Sequence, residues 1–287
     1  FVGIGGAGMS GIAEVLLQYE VTVSGCDQSQ SEATERLRSL GVAIATSHSA
    51  DHLDSVDLLV TSSAIAAANP EVIEAKRRGI AVVRRAEMLA ELMRMKYGIA
   101  VAGTHGKTTT TSLVGAIMTE AGLDPTVIVG GRLRVSGTGA RLGNSDFMVV
   151  EADEFDRSFL SLFPILAVIT SIDRDHLDTY HDLDAIRDAF VAFASRVPFF
   201  GQVIVCADDP NVAALLPRLA DRRLTTYGLG EDCLLRGEAL EMSPDGTSLT
   251  VRHRTQGDLG RLQLPLAGLH NVRNALAAVG VALALGI

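Results

Sequence analysis

The chain has 287 residues, 47% of them hydrophobic and 21% charged, with a formal net charge of −9. Length and composition fit an α/β protein with two separately buried cores, and the acidic balance argues against nucleic acid or an anionic membrane as the main partner. A nucleotide ligand stays open, because surface carboxylates beyond a Debye length of roughly 8 Å are screened in physiological salt. The longest apolar run, "NALAAVGVALALGI", is shorter than the ~20 residues that span a bilayer, and no stretch reads as a signal peptide. Cys26, Cys206 and Cys233 are far apart and odd in number, which reads as free thiols in a reducing, cytoplasmic setting. Phe1 stands inside an apparent strand and Ile287 just past a helix, so the expectation is a fragment.

In chain order, "FVGIG" reads as a short strand, followed by a helix from about Ser10 to Gln18 and a second strand, "VTVSGCD". "DLLVTSSAI" and "IAVVRR" are two more strands, separated by a helix "NPEVIEAKRRG" with Pro70 at its start and Gly79 after its end. Strands that alternate with helices imply a parallel sheet covered on both faces, here a Rossmann-like unit over residues 1–85. "AEMLAELMR" is a helical link. A second α/β unit of the P-loop ATPase type, residues 86–287, opens with strand "GIAVAG" and helix "KTTTTSLVGAIMTEAG", whose Leu113, Val114, Ile117 and Met118 share a stripe. "FMVVEADE" and "ILAVITSID" are strands, a helix lies near 182–196, "QVIVCADD" is a strand, "NVAALLPRLA" a helix and "LTTYG" a strand. From about Leu234 to Leu266 the pattern becomes a small antiparallel sheet with a turn at "SPDGTS", before a final helix "HNVRNALAAVGVALAL".

Gly103, Gly106 and the pair Lys107-Thr108 fall between a buried strand and a helix. Backbone N–H groups at such a helix start face phosphates, the lysine bridges the β- and γ-phosphates, and the threonine hydroxyl binds Mg²⁺. Val101 stands where the eight-residue pattern has its first glycine, so this is the shorter GxxGKT form; a plain strand–turn–helix junction is the competing account. Glu151, Asp153, Glu154 and Asp156 follow a strand's carboxyl end, where open α/β sheets bind ligands. One carboxylate there would suit a metal shared with phosphate oxygens, although a solvated acidic loop explains any single member. His176, among Asp173, Asp175 and Asp178, is a candidate metal or phosphate ligand beside the simpler surface reading. A second glycine-rich turn, Gly3, Gly5, Gly6 and Gly8 with Asp27 after the second strand, suits a nicotinamide or flavin cofactor as well as another nucleotide.

Together, "FVGIGGAGMSGIAEVL", "RRAEMLAELMR", "GTHGKTTTTSL", "EADE", "DHLDTY", "ADDP" and "HNVRNALAA" resemble the Mur ligase family of bacterial cell-wall (peptidoglycan) synthesis, over essentially all 287 residues. The resemblance implies a cytoplasmic, ATP- and Mg²⁺-dependent amide synthesis. In it the lactyl carboxylate of UDP-N-acetylmuramate attacks the γ-phosphate, and L-alanine displaces phosphate from the acyl phosphate. It places the ATP phosphates on Gly103, Thr104, His105, Gly106, Lys107, Thr108 and Thr109, with His270, Asn271 and Asn274 at the adenine end. Thr108 and Glu151 would ligate one Mg²⁺ and His176 would help place a second, so that Lys107, Glu151 and His176 carry the catalysis. The uridine diphosphate would lie on Gly5, Gly6, Ala7, Gly8 and Met9, with Asp27, His48, Ser62, Ser63 and Glu87 near it and His105 close to the reacting end. The implied partners are these substrates, with no nucleic acid and no membrane insertion, and a monomer or weak homodimer.

Three positions depart from the family pattern. Glu20 replaces a helix-end Gly, which costs roughly 1 kcal/mol if the left-handed cap is kept. Cys26 stands where Ser is usual. Phe190 occupies the place of a carbamylated lysine in several sister ligases, which fits the alanine-adding branch. The family's third domain, which binds the amino acid, would follow Ile287, so the chain is expected to bind both nucleotides and to be a poor catalyst alone. A recycling ligase that adds a whole peptide, a nicotinamide-binding redox or sensor protein, and a non-catalytic nucleotide-gated module are the alternatives.

Overall fold

The computed structural model describes residues 1–6, 8–62, 64–130, 139–155, 157–175 and 179–287, and the chain divides into two compact units. Unit 1 is Phe1–Leu92 with Ile128–Leu142; unit 2 is Met93–Val127 with Gly143–Ile287. Both are α/β with parallel strand pairs.

In unit 1, strands β1 (Ser24–Cys26) and β2 (Ala43–Ala45) pair in parallel, as do β3 (Leu58–Thr61) and β4 (Ala81–Arg84). Val2 bridges Cys26 on one side and Thr61 on the other. The expected first strand is therefore a single bridging residue, because Gly3 at φ 77° leaves the extended region at once. Helices α1 (Met9–Gln18), α2 (Glu32–Ser39) and α3 (Pro70–Arg78) alternate with these strands. Val2, Cys26, Leu53, Leu59, Val72 and Ala75 make a buried core. α3 begins as its sequence dictates: the Asn69 side chain accepts the N–H groups of Glu71 and Val72, Pro70 takes the first turn, and Gly79 closes the helix at φ 73°. Tyr19 caps α1 and Glu20 follows at φ 59°, so the left-handed turn after the helix is kept with a side chain in the way. The link "AEMLAELMR" lies within α4 (Arg85–Arg94).

In unit 2, β5 (Tyr97–Ala102), β6 (Thr126–Ile128), β7 (Phe147–Glu151), β8 (Leu166–Ile169), β9 (Gln202–Cys206) and β10 (Leu224–Gly228) lie in the order β6-β7-β5-β8-β9-β10. All pairs from β7 to β10 are parallel, which sets β5 in the middle with its carboxyl end between those of β7 and β8. The expected small antiparallel sheet is instead a continuation of this one. β11 (Leu235–Ser243) pairs in parallel with β10, and β12 (Gly246–His253) and β13 (Gly257–Leu264) follow antiparallel.

α5 (Lys107–Glu120) buries Thr110, Thr111, Val114, Gly115 and Met118, while Leu113 and Ile117 are only half-buried, so the inward stripe is rotated from the apolar one. α6 (Leu183–Ala194) carries Phe190 fully buried, its ring 5.3 Å from that of Phe159. "NVAALLPRLA" is not one helix: α7 (Pro210–Ala213) stops and a 3₁₀ turn, Leu216–Leu219, follows, because Pro217 lacks the N–H that a continuous helix needs. α8 (Leu269–Leu285) packs a small-residue face on α5 and β9. The three cysteines are free and buried, and among the described residues no helix is long and apolar enough to cross a membrane.

Candidate functional site

The turn after β5 is built so that α5 starts abruptly. Gly103 sits at φ 137° and Gly106 at φ 84°, regions that a side chain rarely enters. A Cβ at Gly106 would collide with the amide of Asn274, and one at Gly103 with the hydroxyl of Thr170. The turn is pinned to the segment after β8: Thr104 N–H donates to Ser171 O at 2.9 Å, His105 N–H to Ser171 Oγ at 3.0 Å, and Asp173 N–H to Thr104 Oγ1 at 2.9 Å. Gly106 offers no side chain to the first turn of α5, so Lys107, Thr108 and Thr109 begin the helix without a side-chain cap. Such a helix end carries unsatisfied N–H groups and a partial positive charge, which favours an anion.

Lys107 folds back over the turn. Its Nζ donates to Gly103 O at 2.7 Å and to Glu154 Oε2 at 2.8 Å and Oε1 at 3.0 Å. Glu154 is 2% exposed, which rules out the solvated-loop account for this acid, and its backbone carbonyl accepts from the buried Tyr180 hydroxyl at 2.8 Å. Thr108 Oγ1 donates to Glu151 Oε2 at 2.9 Å, so the two residues expected to share a metal are brought together. His176 lies outside the described residues, as does Asp156. His105 projects into solvent with Nε2 3.9 Å from Asp173 Oδ2.

On α8, Asn274 is buried against Gly106, His270 is exposed, and Asn271 Nδ2 donates to Ala267 O at 2.8 Å. This helix start is anchored by Arg273 Nε on Asp208 Oδ2 at 2.9 Å. Asp208 also accepts the N–H groups of Leu229 and Gly230. Burial works against its ionisation, but Arg273 and the two N–H groups outweigh it and hold the carboxyl below the usual range.

The turn of unit 1 repeats the plan with different partners. Gly8, at φ 76°, starts α1 without a side-chain cap. Asp27 Oδ2 accepts Gly5 N–H at 2.8 Å and its Oδ1 accepts Ser29 N–H at 2.9 Å, so this acid shapes the glycine turn directly. A Cβ on Gly5 would lie 2.7 Å from Thr34 Cγ2, and Gly6 donates to Gly3 O at 3.1 Å. Met9 is buried and its N–H is spent on Gly6 O at 3.0 Å, so it packs beneath the turn. Ser62 lies near Gly3, while Ala7 and Ser63 lie outside the described residues. Glu87 Oε2 accepts Arg84 N–H at 2.6 Å, which caps its own helix. His48 Nδ1 is 3.3 Å from Cys26 Sγ and 3.3 Å from Glu71 Oε1.

One charged residue escaped the sequence reading and a second was not singled out by it. The Arg85 guanidinium lies over Gly8, with Nη1 3.0 Å from where a Cβ would stand. Glu154 was visible only as one of a run of acids. Neither position has a local signal, because each acts across tens of residues.

Residues 1–97 match the Mur ligase family catalytic domain and residues 101–282 the Mur ligase middle domain. The whole chain is 54% identical to a UDP-N-acetylmuramate–L-alanine ligase of Bordetella avium (strain 197N) and 55% identical to one of Syntrophotalea carbinolica. It spans 62% of the length of each of these relatives. Among solved structures, a UDP-N-acetylmuramate:L-alanyl-gamma-D-glutamyl-meso-diaminopimelate ligase from Neisseria meningitides superposes with a TM-score of 0.88 at 28% identity, over 100% of this chain and 93% of that one. A UDP-N-acetylmuramate-alanine ligase from Thermotoga maritima does so with a TM-score of 0.85 at 30% identity, over 100% of this chain and 65% of that one. The chain belongs to the Mur ligase family.

Proposed function

We propose that the protein is an ATP-dependent ligase that joins L-alanine to the lactyl carboxylate of UDP-N-acetylmuramate. The carboxylate takes the γ-phosphoryl group of ATP and releases ADP; the alanine amine then displaces phosphate and leaves an amide. The observation that carries the nucleotide half is the convergence of Lys107, Thr108, Glu151 and Glu154 on the uncapped start of α5. The identity of acid and amine rests on the relatives at 54% and 55% identity.

In this reading residues 86–287 serve ATP. Lys107 exchanges Glu154 for phosphate oxygens, and so brings its charge to the phosphoryl group as it shifts. Gly103, Thr104, His105, Gly106 and Thr109 line the phosphates, while His270, Asn271 and Asn274 take the adenine end. The hydroxyl of Thr108 and the carboxylate of Glu151, 2.9 Å apart, are the hard oxygen donors that Mg²⁺ prefers. Mg²⁺, when bound, supplies neutralisation of phosphate charge. His176 is assigned to a second ion on the family resemblance.

Residues 1–85 serve the sugar nucleotide. Gly5, Gly6, Ala7 and Gly8 take its diphosphate at the start of α1, and Arg85, beside them, supplies the cation that this turn lacks. Asp27 and Met9 hold the turn's shape, while Ser62, Ser63 and His48, with Glu87 from just beyond these residues, are assigned to the sugar nucleotide on the family resemblance. The bacterial cytoplasm is the proposed location. The likeness to the peptide-adding ligase structure, TM-score 0.88, favours one second reading, a ligase that adds a whole peptide. The Asp27–Gly5 bond weighs against a nicotinamide cofactor, since that acid would otherwise face a ribose hydroxyl.

Phosphate release by the full-length protein with ATP, Mg²⁺ and UDP-N-acetylmuramate tests the proposal. Turnover is expected on adding L-alanine. Turnover with tripeptide alone transfers the assignment to the second reading, and none with either amine rejects both.

A further inference from the structure

Glu71 stands at the start of α3, 1% exposed, with a carboxylate used on one side only. Four groups converge on Oε1: Cys26 Sγ at 3.2 Å, His48 Nδ1 at 3.3 Å, His52 Nδ1 at 3.1 Å and Ser49 N at 3.1 Å. A carboxylate oxygen has about two lone pairs, so these four cannot all be satisfied there. Oε2, equally buried, has no hydrogen-bond partner among the described residues. An unpaired buried carboxylate oxygen costs stability unless something positive meets it.

The ligand atoms of Cys26, His48 and Glu71 all lie within 4.8 Å of one another. In a tetrahedral zinc site, bonds of about 2.0 Å to N or O and 2.3 Å to S put neighbouring ligand atoms roughly 3.3–3.6 Å apart. Here Sγ to Nδ1 of His48 is 3.3 Å, Sγ to Oε1 is 3.2 Å and Nδ1 to Oε1 is 3.3 Å, so shifts of a few tenths of an ångström suffice. One thiol, one imidazole and one carboxylate are a donor set for zinc or a zinc-like ion and a poor one for magnesium. The His48 side chain is 21% exposed and gives the ion a way in.

We propose that Cys26, His48 and Glu71 bind one zinc-class divalent cation in unit 1, with the fourth position left to solvent and His52, 3.1 Å from Glu71 Oε1, steadying the carboxylate. On binding, the Cys26 S–H bond breaks, its proton goes to solvent, and a thiolate–metal bond forms with no change of oxidation state. The free Oε2 then either joins the ion or rotates toward the imidazoles, which resolves the crowding on Oε1. This site is separate from the Thr108–Glu151 pair, shares only His48 with the residues assigned to the sugar nucleotide, and stands whether or not the ligase reading holds.

The test is titration of metal-stripped full-length protein with Co²⁺. One equivalent is expected to raise a thiolate-to-cobalt charge-transfer band in the near ultraviolet with tetrahedral ligand-field bands, and Zn²⁺ should bleach both. The double variant Cys206→Ser/Cys233→Ser should keep the bands. Cys26→Ser should abolish the charge-transfer band and weaken Zn²⁺ binding at least ~10-fold, the scale lost even for a residue behind a ligand. Ser matches Cys in shape with oxygen in place of sulfur, so that variant is expected to fold; Glu71→Gln, checked by circular dichroism, is the second probe. Absence of the charge-transfer band in the parent protein, or its survival in Cys26→Ser, overturns the proposal.

Discussion

The glycine turns of the two units start their helices alike and are charged differently. Gly8 at φ 76° and Gly106 at φ 84° each begin a helix without a side-chain cap, and each lies against a polar group from elsewhere in its own unit, Arg85 or Asn274. In unit 2 the cation is the first residue of the helix, Lys107, held by a buried acid at 2.8 Å. In unit 1 the cation comes from α4, dozens of residues away. A lysine inside the turn travels with the phosphates and can follow a group being transferred. An arginine laid over the turn from another helix can only grip. Under the proposed function, the difference assigns the chemistry to the turn of unit 2 and the grip on the sugar nucleotide to the turn of unit 1.

Lys107→Ala should give the largest effect. Ligase turnover of the full-length protein should fall at least ~100-fold, the scale of losing one electrostatic contact in the transition state, with sugar-nucleotide affinity unchanged. Next, Glu154→Gln should lower stability by about 2 kcal/mol, because a half-buried ammonium loses its charged partner. Thermal melts should recover part of that loss when a non-hydrolysable ATP analogue with Mg²⁺ is added, since phosphate then meets Lys107. Arg85→Ala should weaken UDP-N-acetylmuramate binding about 10-fold, one lost charge-assisted contact, and leave the ATP analogue untouched; an equal loss for both ligands would erase the contrast. The smallest effect is a control away from either turn. Glu20→Gly should raise unit 1 stability by roughly 1 kcal/mol by relieving a side chain at φ 59°, without moving either affinity.

What could be read from the sequence was what is local. The turn at Gly103–Lys107 announces itself within five residues, and α3 carries its own start and stop in Asn69, Pro70 and Gly79. The first strand failed because Gly3 bends the chain after one paired residue, and the helix after Asp209 failed because Pro217 outweighs an apolar pattern. α2 and β2 gave little signal: "EATERLRS" buries only Thr34 and Leu37, and "AIA" is three residues long. The antiparallel strands were visible as strands, but their attachment to β10 is a long-range pairing with no local mark. In the sites, Thr108 followed from the motif, while the strand end offered four acids and only the family resemblance singled out Glu151. Arg85 over Gly8 and Glu154 under Lys107 needed the tertiary fold, as did the sharing of Glu71 by Cys26 and two histidines.

Crossed calorimetry measures the central claim most directly: UDP-N-acetylmuramate and an ATP analogue with Mg²⁺, each titrated into parent, Lys107→Ala and Arg85→Ala protein. The account predicts two independent binding events, with each substitution weakening only its own nucleotide. Competition between the two compounds for one event, or loss of both from a single substitution, would contradict it.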